Sequence, residues 1–129
     1  MKSDRAAAGL LVIRIVLGFM FVYHGAPKLF GGSDKWVQVG GAMASAGISF
    51  GFVFWGFMAA FAEFFGGLCL VLGLFFRVFS ALLFITMAVA ARMLLAKGSG
   101  LSAAGHPLEL AAIFAGLYLI GPGPWSLDA

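Results

Sequence analysis

Six ionisable side chains stand in or beside long apolar stretches of the sequence, and each has the chemistry to bind a ligand or move a proton. Arginine and lysine donate hydrogen bonds to carbonyl or anionic oxygens, whereas glutamate and histidine take up and release protons. Charged groups inside an apolar segment are costly, so they mark a functional site or a structural pairing. We predict two catalytic, proton-transferring residues, Glu63 and His24, and four ligand-binding residues, Arg14, Lys28, Arg92 and Glu109.

The composition indicates a membrane protein. Of the 129 residues, 63% are hydrophobic and 10% are charged, whereas a soluble domain has about 45–50% apolar and about 25% charged residues. The mean hydropathy is +1.08. A soluble fold of this size has too little interior to hide so much apolar surface. We therefore predict an integral membrane protein in which residues 1–129 form a single membrane domain.

Four apolar segments are long enough to cross a bilayer, for which about 20 residues are needed. We place them at residues 6–26, 52–76, 78–96 and 107–121. Pro27 should end the first span, Arg77 should mark a tight turn, and Pro107 suits the first turn of the fourth span. That span is short and could extend back towards Leu101. The predicted fold is an all-α bundle of four transmembrane helices.

The connection between the first two spans is the longest in the chain. Trp36, Val39 and Met43 recur there at helical spacing. This pattern predicts a short helix lying at the membrane interface, with Trp36 as its anchor. An irregular glycine-rich loop is the alternative.

The charges inside the spans balance, with two arginines and two glutamates. At a rise of about 1.5 Å per residue, Arg14 and Glu63 reach about 12 and 16 Å from opposite surfaces, so both lie near the midplane. The other two charges fall together in one half of the bilayer. We predict the pairs Arg14–Glu63 and Arg92–Glu109, with exchanged pairing also open because arginine is long. Such pairs either fix the packing of the helices or line a polar pocket for a ligand or a proton route.

Several other functions have no support in the sequence. His24 and His106 are its two histidines, too few for a structural metal site, and we expect neither metal nor haem. The single cysteine, Cys69, excludes an internal disulfide. No phosphate-binding loop, dinucleotide fingerprint or nucleic-acid motif is present, so we expect no nucleic-acid partner. The net charge of +3 favours contact with anionic lipid headgroups.

Three stretches of the sequence resemble signatures of the DoxX family. "RIVLGFMFVYHGAPKL", residues 14–29, is similar to the family's opening arginine, the glycine four residues later and the G-x-x-K-L that follows. "EFFGGLCLVLGLFFRVFSALL", residues 63–83, resembles E-x-x-G-G followed by G-L-x-x-R. "GPGPWSLD", residues 121–128, is similar to the terminal G-x-G-x-x-S-L-D, with Pro124 where a basic residue is common. The resemblance implies a bacterial inner-membrane protein with four helices.

The same resemblance implies a link to redox chemistry. Some members are small subunits of thiosulfate:quinone oxidoreductase, and others belong to redox-stress complexes with soluble partners. We therefore expect a quinone-linked membrane redox subunit with a soluble partner protein and a second copy of the chain as partners. The alternative is a non-catalytic membrane anchor or assembly subunit with structural ion pairs, so enzyme activity is left open. A third reading is a small-solute or proton transporter, for which four spans give little room unless the protein oligomerises. The loop cations tie at three on each side, and we expect the termini in the cytoplasm.

Overall fold

The structure is a computed structural model that describes residues 2–128, with side-chain surroundings from residue 4 onward. Its elements are α1 (Lys2–Phe30), α2 (Ser33–Gly40), a 3₁₀ helix (Gly41–Ala46), α3 (Phe52–Leu72), α4 (Phe76–Ala96) and α5 (Gly100–Ile120). Within the described residues, α1, α3, α4 and α5 are long and apolar enough to cross a membrane. The predicted all-α fold with four spans is confirmed.

Glycines allow α1 and α3 to cross at close range. A Cβ atom on Gly67 would lie 2.5 Å from the carbonyl oxygen of Gly18, and one on Gly25 would lie 2.6 Å from the backbone nitrogen of Phe64. Only hydrogen fits at these points, and small residues of this kind let membrane helices approach closely. Gly18 and Gly25 of α1 and Gly67 of α3 therefore form the surface on which these two helices pack.

The remaining helices complete a ring in the order α1, α3, α4, α5. Gly66 of α3 faces Leu83 and Phe79 of α4, and α4 packs along α5. The ring closes where Phe21 of α1 meets Phe114 of α5 edge to face, with centroids 5.2 Å apart. The buried core between the four helices contains Phe21, Leu70, Phe76, Leu83, Met87, Ala111, Phe114 and Leu117.

The segment between α1 and α3 is helical, which confirms the predicted short helix over the irregular loop. Its first part, α2, packs on the start of α3, where the backbone of Trp36 leaves no room for a side chain at Gly56. The Trp36 indole N–H donates to the carbonyl of Leu29 at 3.2 Å. We call this end of the bundle the cap end, and the opposite end, which holds the α3–α4 connection, the turn end.

Three predicted helix ends are wrong. α1 continues past Pro27 to Phe30. α5 begins at Gly100, as the extension towards Leu101 allowed, so Pro107 lies inside the helix and not in its first turn. Proline is tolerated inside membrane helices when neighbouring groups satisfy the freed carbonyls. α3 ends at Leu72 rather than Phe76, and the chain turns at 73–75 instead of at Arg77.

Candidate functional site

Arg14 is held by backbone carbonyls, so the predicted Arg14–Glu63 pair is wrong. The side chain is 1% exposed. Its Nε donates to Leu70 O at 3.0 Å and its Nη2 to Val71 O at 2.9 Å. Its Nη1 donates to Pro122 O at 3.2 Å and to Trp125 O at 2.9 Å. The guanidinium therefore ties the end of α3 to the segment 121–128, which we call the C-terminal segment.

The end of α3 offers the electrostatics that a buried cation needs. The last carbonyls of a helix lack partners within the helix, and they carry the negative end of its dipole. α3 ends at Gly73, which has the left-handed φ of 69°. A Cβ atom there would lie 2.7 Å from Nη2 of Arg14. Glycine at this position both turns the chain and leaves space for the guanidinium.

The C-terminal segment folds back across the α3–α4 turn. The backbone N–H of Leu127 donates to Leu72 O at 3.1 Å, and that of Asp128 donates to Gly73 O at 3.0 Å. The Asp128 carboxylate accepts the N–H of Phe75 at 3.0 Å and that of Phe76 at 2.8 Å. An acid at this place satisfies the free donors at the start of α4 and its positive dipole end. Together with Arg14, these contacts form what we call the C-terminal clamp.

Glu63 pairs instead with Lys28. The lysine Nζ lies 3.1 Å from Oε1 and 3.0 Å from Oε2, and the side chains are 33% exposed for the lysine and 5% for the glutamate. Gly25 brings α1 against the backbone of Glu63, so Lys28, one turn further along α1, reaches the carboxylate. Among the residues that the structure describes, this is the one salt bridge.

The Lys28–Glu63 pair is a polar site that is partly exposed at the lysine and buried at the glutamate. Glu63 lies at the middle of α3, whereas Lys28 is near the cap end of α1. Two of the three lysine N–H groups serve the carboxylate, which leaves one for another acceptor. His24 precedes Lys28 by four residues on the same helix, so the two are neighbours, and His24 is exposed. Lys28 and His24 can donate hydrogen bonds, and Glu63 and His24 can exchange protons, with a group that binds beside the pair.

The predicted Arg92–Glu109 pair is also wrong. Arg92 donates from Nε to Ser45 O in the 3₁₀ helix at 3.0 Å. Glu109 has no hydrogen-bond or ion-pair partner among the residues that the structure describes. Both side chains are exposed. Of the six predicted site residues, the structure brings together Lys28 and Glu63, with His24 beside them, and places the other three elsewhere.

The resemblance of residues 121–128 to a family signature includes Asp128, but nothing next to it in the sequence indicates which groups it binds. Asp128 binds a helix that begins 52 residues earlier, and capping patterns are recognised only over three or four neighbouring residues. Within residues 2–128, no group of three or more His, Cys, Asp or Glu side chains could hold a metal ion. Cys69 is a free, partly exposed thiol.

Four antiparallel spans, a helical cap and an interior ion pair define a small multi-pass α-helical membrane protein. The DoxX family model matches residues 9–97, a range that holds Arg14, Lys28 and Glu63. The chain belongs to the DoxX family. No curated protein and no solved structure shows significant similarity to it.

Proposed function

We propose that this protein is the membrane subunit of a quinone-linked redox system. The observation that carries the proposal is the Lys28–Glu63 pair, whose carboxylate is 5% exposed and lies at the middle of α3. Ionisable groups within membrane helices are rare and commonly belong to substrate or proton pathways. Arg14 has most of its donors bound to carbonyls, so the proposed ligand site narrows to Lys28, Glu63 and His24.

The chemistry of a quinone suits these three groups. Reduction to the quinol takes two electrons and two protons, and the ring carbonyls accept hydrogen bonds. The free N–H of Lys28 would bind one carbonyl oxygen. Glu63 and His24 would pass protons to the ring oxygens, with His24 facing the lipid from which a quinone arrives. A soluble partner protein, or its reduced substrate, would supply the electrons.

A binding titration tests this proposal. The purified protein in lipid nanodiscs is titrated with a short-chain ubiquinone or menaquinone analogue, followed by quenching of tryptophan fluorescence. We expect saturable binding that weakens about tenfold or more in Lys28→Met and Glu63→Gln, because a hydrogen bond involving a charged group contributes about 1.5–3 kcal/mol. Lys97→Ala, which removes an exposed lysine at the same end of the bundle, is the matched control. Saturable binding with equal affinity in all variants would refute the proposal.

A non-catalytic anchor or assembly subunit is the second candidate, and the C-terminal clamp favours it. There, Arg14 and Asp128 act on backbone groups, which shows charges used for architecture in this bundle. If the Lys28–Glu63 pair has the same role, the exchanged variant Lys28→Glu with Glu63→Lys should retain both its stability and its assembly with the partner. In the quinone proposal, the exchanged variant is stable but binds quinone poorly.

We further propose that the protein resides in the bacterial inner membrane with its turn end in the cytoplasm. The loop cations do not choose an orientation, so a direct measurement is required. In a Cys69→Ala background, Ser99→Cys at the cap end should react with an impermeant thiol reagent in spheroplasts, and Asp4→Cys should not. Labelling of Asp4→Cys alone would reverse the assignment.

A further inference from the structure

Glu109 occupies an unusual place for a carboxylate. It lies at the middle of α5, about 14 Å from the first residue of that helix, and its side chain is exposed. The adjacent Leu108 and the nearby Ile113 are 41% and 42% exposed, so its surroundings are an apolar outer surface. A charged group facing lipid at this depth is costly. The described residues provide no partner for Glu109, so a partner would have to come from a second chain.

Arg92 of α4 has the opposite charge, and its side chain is also exposed. At about 100° per residue, Arg92 lies about 180° from the buried Leu83 on α4, and Glu109 lies about 140° from the buried Phe114 on α5. Both side chains therefore point away from the core. Only Nε of Arg92 has an acceptor among the described residues. Its two terminal nitrogens are available to a carboxylate.

The two charges also lean towards a common depth. Arg92 lies about 6 Å from the end of α4, and Glu109 lies about 14 Å from the start of α5. Side chains tilt towards the N-terminus of their helix. Because α4 and α5 are antiparallel, Arg92 leans towards the middle of the bundle and Glu109 leans towards the cap end, which reduces the difference of about 8 Å.

The geometry points to a homodimer in which Arg92 of each copy binds Glu109 of the other across the outer surface of α4 and α5. Copies in one membrane share an orientation, so a twofold axis along the membrane normal keeps both residues at their depths. In such an interface, each contact occurs twice. Nearer the turn end, an open groove of about 330 Å³ between the same two helices, lined in part by Ala81 and Ala115, gives room for side chains of the second copy.

Pairing within one chain is the rival arrangement, and charge reversal separates the two. Arg92→Glu alone makes a dimer with two Glu–Glu contacts, and Glu109→Lys alone makes one with two Arg–Lys contacts. When the two variants are co-expressed, a mixed dimer has one Glu–Lys and one Arg–Glu contact. Pairing within a chain predicts no such rescue, because each variant keeps two like charges on its own chain.

The experiment uses two differently tagged copies of the full chain, extracted in mild detergent and captured by one tag. We expect each single variant to lose about tenfold or more of the co-captured copy, since each polar contact between the membrane helices is present twice and both are lost together. Co-expression of Arg92→Glu with Glu109→Lys should restore capture to the wild-type level. Lys97→Glu, another charge reversal near the end of α4, should leave it unchanged.

Two results would overturn the proposal: wild-type capture in the single variants, or failure of the mixed pair to recover. Thermal unfolding of each variant identifies loss of folding. Should the reversed variants unfold, Arg92→Gln and Glu109→Gln replace them, and both must weaken capture at unchanged thermal stability. The dimer does not depend on quinone binding, because the Lys28–Glu63 pair lies on α1 and α3.

Discussion

The buried arginine of this protein is satisfied without a carboxylate. Four backbone carbonyls accept from Arg14, two of them at the end of α3 and two in the C-terminal segment. Glu63 was predicted as the partner because it is the side chain of opposite charge at a similar depth in the membrane. The carbonyls at a helix end belong to every residue type, so no residue in the sequence marks them as an arginine site.

The fork of the guanidinium should be essential at this position. Lysine in Arg14→Lys keeps the charge, but its single nitrogen cannot reach four carbonyls arranged around a planar group. We expect a loss of about 2–4 kcal/mol in the free energy of unfolding, because buried acceptors are left without donors. Denaturation in detergent micelles measures it. Arg92→Lys, where one hydrogen bond to Ser45 is involved, should change stability by less than about 1 kcal/mol.

Replacing Lys28 and replacing Glu63 should lower the free energy of unfolding by different amounts. Lys28 is 33% exposed and can turn towards water, whereas Glu63 is 5% exposed and cannot. Lys28→Met therefore leaves a buried, unpaired carboxylate and should destabilise the protein by about 2–4 kcal/mol. Glu63→Gln should cost less, and the double variant should recover most of the loss. A double-mutant cycle measures these values, and equal costs for the two single changes would contradict this account.

At the scale of the helices, the sequence predicted the number of spans and the short helix that contains Trp36. Each of these has a direct signal in apolar length or helical spacing. The ends of the helices were less predictable. The α3–α4 turn depends on Asp128, which binds the N–H groups of Phe75 and Phe76 and supports the left-handed φ of 48° at Phe75. That support comes from the far end of the chain.

The crossing of α1 and α3 should be the contact least tolerant of added volume. In Gly67→Leu, the new side chain would meet the Gly18 carbonyl and the backbone of Val22 within 3 Å, so the helices must separate. We expect a loss of several kcal/mol, or failure to accumulate in the membrane, since overpacking costs about 1–3 kcal/mol even where side chains can move. Expression and thermal unfolding report it. Gly9→Ala, with open space around it, should be neutral.

For the molecule as a whole, the C-terminal clamp joins both halves of the bundle. It links α1 to the end of α3 through Arg14 and links the C-terminal segment to the start of α4 through Asp128. A chain that stops after Gly123 should therefore lose stability throughout the bundle. Because Trp125 is a partner of Arg14, this truncation and Arg14→Lys should be non-additive in a double-mutant cycle. Strictly additive costs would show that the clamp does not act as a unit.

The C-terminal clamp can form only late in the biosynthesis of the protein. Arg14 is separated from its last two acceptors by 108 and 111 residues. At roughly 5–20 residues per second, the first helix is made about 5–20 s before these acceptors exist. For about the first half of that interval all four carbonyl partners are missing, because Leu70 and Val71 follow Arg14 by 56 and 57 residues, and afterwards two are still missing. Until then the guanidinium must be accommodated by water, by lipid headgroups or by the insertion machinery. Arg14 therefore enters the membrane with the first helix and acquires its last hydrogen-bond acceptors only after the C-terminal segment is made.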